Sequence, residues 1–83
     1  MDSKKKNNQT NFIMNRFSVN TNNIISVGYD EINEILEIEF NLKAIHHYYY
    51  LPFNKYISLM TAQNIEEYYF NHILTDYSFE AIQ

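Results

Sequence analysis

Residues 35–40, "ILEIEF", alternate apolar and acidic side chains over their last five positions. A strict period of two is the geometry of a β-strand with one wet face: Leu36, Ile38 and Phe40 turn to a core, Glu37 and Glu39 to water. Such a strand needs neighbours to complete its hydrogen-bond ladder and a cover for its apolar side. Two flanking stretches supply the ladder. "NIISVGYD" (23–30) alternates, with Ile25, Val27 and Tyr29 on one side and Ile24 and Ser26 on the other. "AIHHYYYL" (44–51) is aromatic along most of its length, as strands favour. "DEINE", with the turn formers Asp30 and Asn33, joins the first pair, and "NLK" joins the second. Three consecutive strands on short links predict an antiparallel meander.

The cover must come from the C-terminal part of the chain. Pro52 has no ladder donor and holds Leu51 extended, so it ends the third strand and is tolerated at the start of a helix. Phe53, Tyr56, Ile57, Leu59 and Met60 recur at helical spacing and predict a helix over 53–62. "NIEE" then has the form of a capping box, Asn64 accepting from the Glu67 amide, and opens a second helix over about 65–74. Its inner face would be Ile65, Tyr69, His72 and Ile73. The expected architecture is α+β, a three-stranded antiparallel β-meander followed by two helices packed on the sheet, β-β-β-α-α. With 83 residues and no cysteine to form a disulfide, one thin core must hold the domain, and eight Tyr and six Phe are there to fill it.

Charge divides the chain. Residues 1–16 carry Lys4, Lys5, Lys6 and Arg16 against Asp2, a net +3, whereas residues 17–83 carry two lysines and nine acids, a net −7. The first segment reads as a basic, disordered tail and residues 17–83 as a single folded domain. "FIM" after the lysines is too short for the apolar core of a secretory signal, and no stretch is long enough to span a membrane. A cytoplasmic protein with no membrane association is the expectation.

Little in the chain points to catalysis. Gly28 is the single glycine, so no phosphate-cradling loop can be built, and inside a strand it marks a bulge or a close backbone approach. His46 and His47 are neighbours on a strand and point to opposite faces, so they cannot share a metal ion, and only His72 remains as a third imidazole. Ser26 and Ser58 lack a nucleophile elbow, Glu37 and Glu39 read as a solvated face, and Glu66 and Glu67 suit a helix N-terminus. The expectation is a non-catalytic protein without metal or cofactor.

The aromatic run parses by parity into His46, Tyr48 and Tyr50 on one face and Ile45, His47, Tyr49 and Leu51 on the other, and periodicity does not choose the buried set. Either choice leaves rings on the other side, a platform on which bases stack or subunits pair. The −7 balance of the folded part opposes strong, nonspecific attachment to nucleic acid.

Gly28-Tyr29-Asp30, the strand Leu36 to Phe40, the series His46, Tyr48, Leu51 and Pro52, then Tyr56, Leu59 and Ala62, and finally Phe70-Asn71 follow one another in a fixed order. This succession, over residues 17–77, resembles the KTSC domain, a small module named after the C-terminal extension of certain lysyl-tRNA synthetases and also found as short free-standing bacterial and phage proteins. His46 stands where the family pattern has tyrosine, Asn22 and Asn23 where it has serines, and Asn64-Ile65-Glu66 where it has a glycine-containing turn. The basic residue after the "FN" pair is replaced by Leu74 or Thr75. The resemblance implies a small binding module for RNA, a nucleotide or a similar small ligand, with Tyr29, Asp30, His46, Tyr48, Tyr69 and Asn71 as candidate binding residues. The alternative is a protein partner or a homodimer formed through the aromatic face.

Overall fold

The computed structural model describes residues 14–83. The chain forms β1 (Arg16–Ser18), β2 (Ile24–Asp30), β3 (Ile35–Phe40), β4 (Ile45–Tyr48), α1 (Phe53–Met60), α2 (Ile65–Tyr68) and β5 (Phe79–Ala81). All pairings are antiparallel, and the sheet order β1-β2-β3-β4-β5 follows the chain. The class is α+β with two helices, as expected, but the sheet among the described residues has five strands rather than three. The two additions lie at its edges and have three residues each, too short to display a period of two. β1 begins at Arg16, one residue inside the segment assigned to the basic tail; residues 1–13 of that segment lie outside the described residues. β5 returns after both helices to pair with β4.

β3 is the strand its alternation predicts. Leu36 and Ile38 are fully buried beneath the helices, where Val27, Tyr48, Leu51, Leu59, Tyr69 and Ile73 join them. β2 departs from simple alternation. Its register with β3 shifts between Ile24 and Ser26, so Ile24 enters the core and Ile25 turns outward, the reverse of the expected parity. The third strand stops at Tyr48, short of the expected Leu51, because Tyr50 takes a left-handed conformation (φ 58°) and swings Leu51 back into the core. That single kink lets Tyr48 and Leu51, of opposite parity, both be buried.

Asp30 closes the β2–β3 loop as an Asx turn: its Oδ1 accepts the amides of Ile32 (3.1 Å) and Asn33 (3.2 Å), and its Oδ2 accepts from Asn33 Nδ2 (2.8 Å). A 3-10 turn over Asn41–Lys43 joins β3 to β4 through left-handed Leu42 and Lys43. The Asn64 cap is in place, its Oδ1 accepting from the Glu67 amide at 3.0 Å. The second helix is shorter than expected, however, because at Tyr69–Ile73 it widens into a π-helical turn. Tyr69 and Ile73 face inward there, whereas His72, expected on the inner face, is exposed and packs on Tyr68.

Gly28 marks a close approach. A Cβ on it would lie 2.8 Å from the Asn15 carbonyl oxygen and 2.8 Å from Arg16 Cγ. The Arg16 side chain extends over it to Glu37 (Nη1–Oε2 3.0 Å), and Glu37 also meets His47 Nε2 at 2.7 Å. Arg16 Nη2 lies 3.9 Å from Glu39, which accepts from Ser26 Oγ at 2.8 Å. The acidic face of β3 is therefore a paired ionic face, not a merely solvated one. No helix among the described residues is long and apolar enough to cross a membrane.

Candidate functional site

Beneath the helices the inner face of β4 carries a chain of polar groups. His46 Nδ1 lies 3.1 Å from the Tyr48 hydroxyl, which in turn hydrogen-bonds the Tyr69 hydroxyl. Tyr48 is wholly inaccessible and Tyr69 is 4% exposed. Burial, reinforced by the bond to Tyr69, pushes the Tyr48 phenol far above the ordinary tyrosine value. Burial also raises Tyr69, against a smaller opposing effect of the bond from Tyr48. The His46 imidazole is pulled down by burial and is held neutral at physiological pH. The set is a buried, uncharged network with its hydroxyls mutually satisfied.

The outer end of this network opens to a groove of about 340 Å³. Its floor is His46, Phe40 and Ile24, and its far wall is Tyr69, Phe70 and Leu74 from the π-helical turn and just beyond. Ala44 also lines it. Asn23 and Glu66 stand together at the mouth, the Asn23 side-chain amide donating to Glu66 Oε2. His46 lies between two rings, stacked on Phe79 at 4.5 Å and edge-on to Phe40 at 4.8 Å. The groove can accept a flat apolar group, and the fixed charge at its rim is negative.

The six residues singled out from the sequence are spread over the molecule. His46 and Tyr69 line the groove, and Tyr48 lies behind them as the shared partner. Tyr29 is elsewhere: its hydroxyl donates to the Leu51 carbonyl (2.6 Å), and its ring stacks on Tyr56 at 4.8 Å. That bond pins the kink after β4. Asp30 is the loop cap described above. Asn71 borders a separate depression of mixed lining with Gln63, Asn64, Tyr68 and His72, apart from the groove. Sequence reasoning did not select Ala44, Leu74 or Phe79. Phe70 was adjacent to a chosen residue, as half of the "FN" pair.

The geometry places each element of the ordered motif series in the fold, and the sequence profile of the KTSC domain matches residues 20–77. The chain belongs to the KTSC domain family. A KTSC domain protein from Yersinia pestis, known from its crystal structure, is similar at 27% identity and a TM-score of 0.81. That match covers 86% of this chain and 100% of the other. No curated protein matches the sequence. Within this KTSC fold the "GYD" element builds a kink-pinning tyrosine and a loop cap, whereas His46 lines the groove.

Proposed function

We propose that this KTSC domain is a non-catalytic binding module whose site is the groove between β4 and the π-helical turn, and that it takes a flat, apolar group that is neutral or positively charged. The observation that supports this reading is an open groove of about 340 Å³ lined by the rings of Phe40, His46, Tyr69 and Phe70 with Glu66 among its lining residues, a volume at the lower end of the range for small-ligand sites. The phenols beside it are held protonated by burial and present hydroxyls rather than charge to a bound group.

The helices cover the inner aromatic face of the sheet, so a base cannot stack on Tyr48 directly. A nucleotide or RNA ligand would have to insert its base into the groove, with its phosphate near Glu66. The reading therefore favours the nucleobase or a similar ring over the phosphate-bearing form.

The chain has no tryptophan, so indole fluorescence excited at 295 nm reports ligand alone. Titration of indole and tryptophanamide into the protein should show saturable binding, and adenosine, followed by NMR shifts, should bind more tightly than its monophosphate. Ala44→Leu, which projects a larger side chain into the groove, should abolish all of it while leaving the circular dichroism spectrum unchanged. No binding of any of these at millimolar concentration, or undiminished binding by Ala44→Leu, would refute the proposal.

A further inference from the structure

Among the described residues β5 is the outer strand of the sheet, and its three residues are all exposed. Its register with β4 pairs His46 with Ala81, His47 with Glu80 and Tyr48 with Phe79. Backbone bonds just beyond it, from the Tyr49 amide to the Ser78 carbonyl (3.2 Å) and from the Ile82 amide to the Ile45 carbonyl (2.7 Å), show which pairs exchange hydrogen bonds. Glu80 therefore turns its amide and carbonyl toward β4. Phe79 and Ala81 turn theirs to the open side, because the two kinds of pair alternate in an antiparallel ladder. Two donors and two acceptors thus project from this edge with no partner strand among the described residues.

The side chains give the edge a distinct character on each face. On the helix side, Phe79 is 46% exposed and stacks on His46. Ala81, the β5 residue paired with His46, offers only a methyl group there, beside the ring that lines the groove. On the opposite side Glu80 projects, with Tyr49 donating to one carboxylate oxygen at 2.7 Å.

We infer that the occupant of this surface is an extended peptide that adds to β5 as a sixth strand, with aromatic or aliphatic residues on the helix side and Lys or Arg on the other. The inference rests on the groove reading above and names its ligand. Three observations support it together: the open backbone groups require an extended chain, the groove is lined by His46, the β4 residue paired with Ala81, and accepts an apolar side chain, and Glu80 among residues 17–83 of net charge −7 calls for a basic one. Main-chain bonds would supply pairing, and the alternation would supply selectivity.

The test uses a fluorescein-labelled seven-residue peptide of alternating Lys and Phe, and its counterpart of alternating Glu and Phe, read by anisotropy. The Lys peptide should bind saturably and the Glu peptide at least tenfold more weakly. Ala81→Pro removes one outward amide, changes no charge, breaks no bond to β4 and suits an edge strand. It should weaken the Lys peptide at least tenfold and leave indole binding in the groove unchanged. Equal peptide binding by wild type and Ala81→Pro would overturn the added strand, and retained indole binding would then show that the groove reading survives. If Ala81→Pro fails to fold, N-methylation of alternate peptide amides replaces it, and undiminished binding of the methylated peptide overturns the proposal. Sedimentation of the protein alone should show a monomer. Self-association abolished by Ala81→Pro would make a second copy the occupant and refute the peptide assignment.

Discussion

The buried hydroxyl of Tyr48 allows a sharp test of how this core is held. Tyr48→Phe keeps the ring and removes one oxygen that lies between His46 Nδ1 and the Tyr69 hydroxyl. Tyr69 is 4% exposed and its hydroxyl bonds only Tyr48 among the described residues, so the substitution strands a buried polar group, at about 1–3 kcal/mol. The lost bond to His46, which is only partly buried, adds about 0.5–1.5 kcal/mol. A loss of about 1.5–4.5 kcal/mol is a large share of the ~5–15 kcal/mol that holds a folded domain.

Tyr69→Phe should cost less, about 0.5–1.5 kcal/mol, because the Tyr48 hydroxyl keeps His46. The double variant removes both hydroxyls and leaves two rings of the same shape. It should be more stable than Tyr48→Phe alone, with a coupling of at least about 1 kcal/mol between the sites. Urea unfolding followed by circular dichroism measures all three, with equal slopes as the check that the denatured state is unchanged. Costs that simply add in the double variant would refute the idea that the two hydroxyls satisfy each other.

Three further outcomes are expected. Gly28→Ala forces a Cβ to 2.8 Å from the Asn15 carbonyl oxygen. It should cost about 1–3 kcal/mol, less about 0.5–1 kcal/mol from reduced chain entropy, and hydrogen exchange should show β1 deprotected before the rest of the sheet. Tyr48 and Tyr69 both have phenols raised above 10.0 in the folded state, so the folded chain holds protons that the unfolded chain releases. Their contribution is intact below pH 10 and falls above it by about 1.4 kcal/mol per pH unit for each phenol, so alkaline unfolding should be steep and coincide with the rise in tyrosinate absorbance. Tyr50→Gly relieves a left-handed tyrosine that is 85% exposed. Relief of about 1–2 kcal/mol against about 0.5–1 kcal/mol of entropy predicts a urea midpoint that is unchanged or higher.

The strand at Leu36 and Ile38 was legible because its alternation survives intact, and the Asn64 cap because it is local. Ile24 was misassigned because a register shift cancels parity, and that shift leaves no mark in composition. The buried face of β4 was undecidable for a chemical reason. The inner set, His46 and Tyr48, is the less apolar of the two, and Tyr48 is buried there because its hydroxyl bonds His46 and Tyr69, a residue 21 positions away from Tyr48, while His47 on the other face is buried against Glu37. Arg16 was read as part of the tail, although β1 sets it against Glu37. The groove was invisible in one dimension because it draws its lining from several separate segments, of which only His46, Tyr69 and the "FN" pair carried a signal.

The position of that groove follows from where regular structure fails. Ile24 reaches it beside the register shift of β2, Phe40 and Ala44 flank the left-handed 3-10 turn, and Tyr69 and Phe70 belong to the π-helical turn. The π turn carries Tyr69 and Phe70, Leu74 follows it directly, and the three line one wall of the groove. Three departures from ideal geometry thus meet at one end of the sheet, and each is costly on its own. Local regularity has been given up where the fold opens the groove, while β3, which lies far from it over most of its length, keeps the alternation that made it readable.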